Sequence, residues 1–464
     1  MALGVTQDTS VLAILKEYYG VQDVEALVFR NSPVLGKIKK ERIGGKYIPL
    51  PMAVYGNGAV TSDYTQVTNQ AASSYLGVAM QVTPGRLFAS YVLDPEEFLA
   101  SKPDRGAFMS VFAIRTMLAM DDLRKVLATC LYNTGYLEQG VIRAVDTNFL
   151  YVDVDPSTAM ALVPATTVGA GSQIIFAPTP SGTLRSATAI GISSIVNQPS
   201  SGYTRITFSS AYASSVAVGD YLMLKGGRDA NASPNAPVGL EAWLPTVANR
   251  TGATWTTYIA TLFYGVNRST APDRMAGQFV QRNSGETYTA CLLRLLKQVR
   301  RGGGVPDLII VNDDDFGVLM NDALANRTFY QNIQGAVAKD NNIATNGITQ
   351  FQMHFSTSWI NLVYDDPYCP KGKAYILDTE SVRLYSLSNA TKILDKLPIG
   401  NEPGAPKADD EAEPTTNFQF LVDDFYTTSW VDLASGKGLR VDFSLFANFA
   451  VVAPAHNGVA IFAA

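Results

Sequence analysis

Charge is scarce in this chain: of its 464 residues 17% are Asp, Glu, Lys or Arg, against 47% hydrophobic. A soluble domain ordinarily carries about a quarter charged residues, so part of the surface is expected to be covered by neighbours. The net charge of -5 excludes a global basic field of the kind that holds nucleic acid by neutralising phosphates. Histidine is scarcer still. His354 and His456 are the only two and lie far apart, so a Ser-His-Asp triad or a histidine metal site is hard to assemble, and both are expected to serve packing. Cys130, Cys291 and Cys369 are odd in number and widely spaced. That pattern suits neither a disulfide framework nor a thiolate metal cluster, and predicts buried thiols made in a reducing compartment. No run of about 18 apolar residues is free of charge, as a membrane-spanning helix requires. Residues 1–19 carry Asp8, Lys16 and Glu17 where a secretory signal needs a basic start and a long apolar run.

What is present is a sequence of contrasting segments, too long for one hydrophobic core. Residues 1–46 pair a helix candidate at 8–19 with a basic stretch, Lys37, Lys39, Lys40, Arg42 and Lys46. From 47 to 90 the composition turns to Gly, Ser, Thr, Val and Tyr. Turn signals stand at Gly56-Asn57-Gly58 and Pro84-Gly85, and Leu76, Val78, Met80 and Val82 alternate with smaller or polar residues, the period of a strand with one covered face. A long hairpin is predicted. The chain nearby offers little for it to lie on, and an isolated two-stranded ribbon is marginally stable, so another subunit is its expected support. Apolar residues at three- and four-residue steps then predict one helix over 103–133, ~45 Å long at 1.5 Å per residue.

Between 139 and 240 short β-rich runs at 141–144, 149–154, 173–176, 188–195, 204–208 and 221–224 alternate with Gly, Ser, Pro and Asn, which predicts a separate barrel or sandwich. The helical period returns after residue 283. Asn283-Ser284-Gly285-Glu286 resembles a capping box ahead of the stripe Tyr288, Cys291, Leu292, Leu295, Leu296 and Val299,. A strand at 305–311, a cap at Asn312-Asp313-Asp314 and a helix follow. Strands are expected at 350–355, 359–364, 374–377 and 382–386, an acidic mobile loop at 401–417, and closing strands at 430–433, 439–443, 446–452 and 459–462. The fold class is α+β.

No candidate for catalysis, cofactor binding or metal binding emerges. Asp313-Asp314-Asp315 stands where helix capping and the helix dipole select Asp, which outweighs a cation site. Gly302-Gly303-Gly304 ends a helix, and no Gly-Lys-Ser/Thr completes a phosphate loop. A secreted carbohydrate-active enzyme, the alternative from a different class, would need an export signal and paired catalytic carboxylates, and the sequence offers neither.

The order of parts resembles the Hong Kong 97-like capsid fold of tailed-bacteriophage shells, which herpesvirus floors and encapsulins share. Four stretches carry it locally: the run from Gln81 to Glu97 resembles the strand leaving the family's extended loop, the run from Pro306 to Asp313 with its following helix its axial domain, Tyr364 to Leu384, containing Pro370 to Asp378, its later strands, and Ala447 to Pro454 its closing peripheral strand. The resemblance spans all but residues 139–240. It implies an N-terminal arm (1–46), an extended β-hairpin loop (47–90), a long spine helix with peripheral domain (91–138), an inserted β-barrel or sandwich domain (139–240), a peripheral/axial linker and helix (241–304), an axial domain (305–400), the acidic loop (401–417) and peripheral closing strands (418–464). It further implies a major capsid protein that is not an enzyme, assembling through pentamers and hexamers into an icosahedral shell around double-stranded DNA.

The partners expected from the resemblance are other copies of itself, portal, scaffold and cement proteins, and packaged DNA touched weakly and non-specifically, with no membrane. The location implied is the virion, assembled in the host bacterial cytoplasm. An encapsulin-type nanocompartment shell is the nearest alternative. Some family members cross-link subunits through a lysine in the extended loop; none occurs here between Lys46 and Lys102, so no such bond is expected. No long cleavable N-terminal segment is expected either. Intersubunit contacts are anticipated at Tyr55, Tyr64 and Tyr75, because aromatic residues are enriched at buried contacts, and at Arg86, Lys37 and Lys40.

Overall fold

The computed structural model of the chain describes residues 34–35, 37–43, 47–55, 62, 76–93, 122–123, 125–154, 172–186, 188–198, 203–247, 250–325, 351–355, 358–387, 426–432 and 439–462. The helix expected at 8–19, the hairpin tip, most of the helix expected at 103–133 and the acidic loop at 401–417 lie outside them. Within the basic stretch stands a strand that periodicity did not reveal. β1 (Lys39–Ile43) runs parallel to β16 (Val382–Leu387), with Lys39 opposite Arg383 and Ile43 opposite Leu387. It is the edge of its sheet, where charged side chains are tolerated, and Arg383 pairs with Glu41 at 2.9 Å.

The hairpin forms as predicted. β2 (Ile48–Tyr55) and β3 (Leu76–Val82) pair antiparallel, Ile48 opposite Val82 and Met52 opposite Val78, in a sheet that no other described strand joins. Met80 and Val82 are buried while Gly77, Ala79 and Gln81 are exposed, the alternation a one-faced strand requires. The expectation that the chain gives this ribbon little cover is corrected at its base. Ile48, Leu50, Met80 and Val82 belong to the largest core, and the Gln81 N–H donates to Tyr264 O at 3.1 Å. The cover comes from a segment remote in sequence. Farther out the shelter thins, and Met52 and Val78 are half-buried.

β4 (Gly85–Leu93) leaves the ribbon and pairs antiparallel with β18 (Leu439–Val451), Gly85 opposite Ala447 and Leu93 opposite Leu439. Two strands were expected where β18 is one of 13 residues. Ser444 interrupts the apolar pattern, yet it is paired with Phe88 of β4 and with Tyr426 of β17 (Tyr426–Asp432), so backbone ladders carry the strand through.

Helix α1 (residues 125–130) ends in a turn that leads into the barrel. Strands β5 (Glu138–Val145), β6 (Tyr151–Val154), β7 (Gln173–Ala177), β8 (Ile190–Gln198), β9 (Tyr203–Phe208) and β10 (Tyr221–Leu224) close in the order β10-β5-β6-β9-β8-β7, each adjacent pair antiparallel. The interior is filled by Ile142, Val152, Ile174 and Ile206 with an aromatic cluster of Phe176, Phe208 and Tyr212. Two buried aspartates each accept from the Nε and Nη2 of one arginine, Asp220 from Arg185 and Asp153 from Arg205. Entry and exit chains are zipped together at the neck: Ala236 N–H donates to Gly135 O, Gly239 N–H to Asn133 O and Leu240 N–H to Leu131 O. Gly239 permits that approach, since a Cβ there would lie 2.0 Å from Cys130 O.

After the barrel come α2 (Leu240–Trp243), α3 (Ala253–Ala260), α4 (Pro272–Met275) and β11 (Gln278–Gln281), a strand too short to show a period. The second large sheet runs β11-β19-β15-β12-β14-β13, with β12 (Leu308–Val311), β13 (Phe351–Phe355), β14 (Ser358–Asp365), β15 (Lys373–Leu377) and β19 (Gly458–Ile461). Its centre is apolar on both faces. Leu308 and Ile310 join the largest core, while Ile309 and Val311 meet the stripe of α5 (Tyr288–Arg301). The N-cap of α5 is Thr287, whose hydroxyl accepts from Ala290 N–H at 3.2 Å. The expected capping box is instead a turn of its own, in which Glu286 accepts from Asn283 N–H and Gly285 takes φ +76°. Helix α6 (Asp313–Ala325) is capped by Asn312, which accepts from Asp314 N–H at 3.1 Å. The sheets interleave across the segment limits drawn from sequence: β16, from 305–400, lies beside β18, and β19, from 418–464, completes the sheet of β12.

Candidate assembly surface

The residues anticipated as contacts do not converge on one spot. Tyr55 ends β2 opposite Leu76, while Tyr64 and Tyr75 lie outside the described residues. Arg86 is exposed on β4, and its N–H donates to Asn235 O at 2.8 Å. Lys37 precedes β1 and stands 5.9 Å from the Tyr364 ring. Lys40 lies on β1 opposite Leu384, and burial pushes its ammonium down to about 8. Lys40 and Arg86 share one sheet, separated by β16 and β18.

The structure adds residues that the sequence reading missed. Phe88 is 66% exposed and meets Phe446 edge to face at 6.0 Å. It borders a groove of about 440 Å³ between β4, α1 and the barrel, lined also by Arg86, Asp122, Val126, Gln173 and Lys225. In sequence Phe88 reads as one more member of the apolar run Leu87-Phe88-Ala89. Only the pleat, which buries Leu87 and exposes its neighbour, separates them.

Buried polar joints fix the elements that present this surface. The Tyr132 hydroxyl donates to Asp366 at 2.7 Å, joining the end of α1 to the second sheet. Glu241 on α2 accepts from Lys373 Nζ at 2.8 Å, Tyr375 OH at 3.2 Å and Thr246 Oγ1 at 2.7 Å. Burial raises the phenols of Tyr132 and Tyr375 well above their ordinary value, and the carboxylates of Asp366 and Glu241 push the same way. Both stay neutral donors. Asp315 accepts from Gly372 N–H at 2.6 Å and Asp314 pairs with Lys371 at 2.8 Å, so two of the three acidic side chains are engaged within the fold. Among the described residues no three His, Cys, Asp or Glu side chains are grouped to hold a metal ion. His456 lies 3.7 Å from Asp378. The three thiols are free and buried. No helix among the described residues is long and apolar enough to cross a membrane.

Neither a protein-family model nor a curated protein matches the sequence. Solved structures do. A chain of the cyanophage A-1(L) capsid asymmetric unit is similar over 96% of this chain and 95% of its own, with a TM-score of 0.50 at 12% identity. The chain has a phage-capsid fold. Two further structures are the capsid of an empty GTA particle, covering 100% of both chains at 9% identity with a TM-score of 0.44, and the holo-SrpI encapsulin complex from Synechococcus elongatus PCC 7942, covering 99% of this chain and 96% of that one at 8% identity with a TM-score of 0.41. In this capsid fold the ribbon, β4 and the groove beside Phe88 are held by one continuous core.

Proposed function

We propose that the chain is the major capsid protein of a tailed bacteriophage, a structural subunit with the Hong Kong 97-like arrangement and no catalytic role. Copies join as pentamers and hexamers in an icosahedral shell around double-stranded DNA, assembled in the host bacterial cytoplasm. The observation that carries this reading is the ribbon: its base is anchored in the largest core, while β2 and β3 pair with no other described strand of the chain. A firm root and an unpaired body suit an element that lies on a neighbour. The phage-capsid fold over nearly the whole length supports the same reading.

Under this proposal residues 47–90 reach over an adjacent subunit, 1–46 clasp another and 305–400 surround the capsomer axis. Tyr55, Tyr64, Tyr75, Arg86, Lys37 and Lys40 serve intersubunit contacts, and portal, scaffold and cement proteins are the other partners. Negative-stain imaging of the purified full chain, alone and coexpressed with neighbouring genes, tests it. Icosahedral particles are expected, and a chain that remains monomeric in both preparations would sink the proposal. Particles that carry a specific enzyme in place of DNA would shift the reading to a nanocompartment shell.

A further inference from the structure

The ribbon shares its sheet with no other described strand, so no further backbone ladder sets the direction in which it leaves the subunit. Its buried base fixes where it is rooted, but apolar burial is non-directional. Direction comes from hydrogen bonds, which demand alignment. Those at the root converge on one side chain. Asn448 is 1% exposed in the otherwise apolar run from Phe446 to Val452. Its Nδ2 donates to Thr83 O at 2.6 Å and to Tyr264 OH at 3.0 Å, and its Oδ1 accepts from Val238 N–H at 2.8 Å. Thr83 leaves the ribbon, Val238 leaves the barrel, and the Asn448 backbone is itself paired with Tyr385 of β16. Both amide donors and the carbonyl are thus used on three separate segments.

Ribbon and sheet meet in a two-residue joint, Thr83-Pro84, between β3 and β4. Pro84 has its φ fixed by the ring. The chain leaving the barrel lies against Gly85, where a Cβ would collide with the backbone of Ala236 and Pro237. A strained turn closes the joint. Phe263 and Val266 exchange N–H to O bonds at 2.9 and 3.0 Å around Tyr264 and Gly265, whose φ angles are +49° and +82°. Asn, Asp or Gly ordinarily takes the first of these two positions, and a left-handed tyrosine persists only where its surroundings hold it. Its ring packs against Trp243 at 5.7 Å, its hydroxyl accepts from Asn448, and its carbonyl accepts from Gln81 N–H of β3 at 3.1 Å. Leu262, just before the turn, is 68% exposed, while Arg268 beyond it is buried over the Phe263 ring at 4.3 Å.

We propose that Asn448 and Tyr264 are positioning residues for the ribbon, locking the angle at which it leaves its own subunit and so the place where it meets the next. The inference rests on the shell-subunit reading. A buried asparagine in an apolar run carries a desolvation cost, and a left-handed tyrosine carries strain. A root that had only to be stable would be served by an apolar residue at the first place and glycine at the second. A joint whose angle matters requires directional ties.

The test compares full-length Tyr264→Phe and Asn448→Ala with Ile206→Val, which shortens a side chain in the buried core of the barrel. Circular dichroism reports folding, amide hydrogen exchange reads Gln81 against the barrel strands, and light scattering with negative-stain imaging reports assembly. Both joint variants are expected to fold and to form fewer closed shells. Exchange at Gln81 is expected to rise roughly 10-fold or more with the barrel unchanged, the effect of leaving one buried polar group unpaired. Ile206→Val is expected to lower thermal stability and to assemble normally. Should Asn448→Ala fail to fold, Tyr264→Phe alone decides. The inference is overturned, and the shell reading left standing, by wild-type exchange at Gln81, by an equal rise across the barrel, by normal shells from a folded joint variant, or by an equal assembly loss in Ile206→Val. A wild-type chain that never assembles overturns both.

Discussion

Glu138 is wholly buried at the foot of the barrel, and its Oε2 has no hydrogen-bond partner, like the nearby Asn133 Oδ1. The other carboxylate oxygen accepts from the Thr134 hydroxyl and N–H. The titratable groups that feel it are Cys130, Tyr136 and Tyr221, none of them a cation. Burial therefore lifts this carboxyl above its ordinary 4.5, outweighing the hydrogen bonds that favour the anion. The unfolded chain releases this proton first as pH rises through the ordinary value, so Glu138 costs stability increasingly from there up to its folded value and no further beyond it. Glu138→Gln removes that cost and supplies a donor. It should raise unfolding free energy by about 1–3 kcal/mol at neutral pH and by much less at pH 4, as read by denaturant titrations at the two pH values. A gain independent of pH would show that folding does not raise this carboxyl above its ordinary value.

At the scale of elements, the ribbon divides into a rooted base and an outer part. Met80 is fully buried at the base, whereas Gln81 beside it is exposed. Met80→Ala should therefore cost about 2–5 kcal/mol of stability through lost burial and the cavity left behind. Gln81→Ala should cost no more than about 0.5 kcal/mol, since its bond to Tyr264 uses the backbone,. Equal small effects in chemical denaturation would mean that the base is not part of the core. The alternation that names the covered face was legible because the two-residue period is local. The identity of the cover was not, because residues 261–266 reach the ribbon only after the whole barrel has intervened.

For the whole molecule, the joint between α2 and the second sheet is a buried ion pair. Lys373→Met alone would strand Glu241 without its cation, at about 3–5 kcal/mol. Combining it with Glu241→Gln keeps an acceptor for Tyr375 and Thr246 and should recover most of that loss. A double-mutant cycle by thermal unfolding measures the coupling; simple additivity would show that the pair does not act as a unit. Neither Glu241 nor Lys373 stood out in the sequence. The first follows the barrel and the second opens β15, and nothing along the chain announces that burial will pair them.

The amino-acid sequence by itself determined where the strongly patterned elements form: the six barrel strands, the apolar stripe of α5 and the hairpin are set by patterns of two and three to four residues, bounded by Gly, Pro and Asn. It also set the inventory of two histidines and three scattered cysteines. Tertiary structure alone decided which strands lie side by side, such as β1 with β16 and β11 with β19, because parallel partners far apart in the chain are chosen by the shared core and not by local preference. It likewise decided that Phe88 and Leu262 face outward while Arg268 folds in. Exposure is a property of what the rest of the chain leaves uncovered.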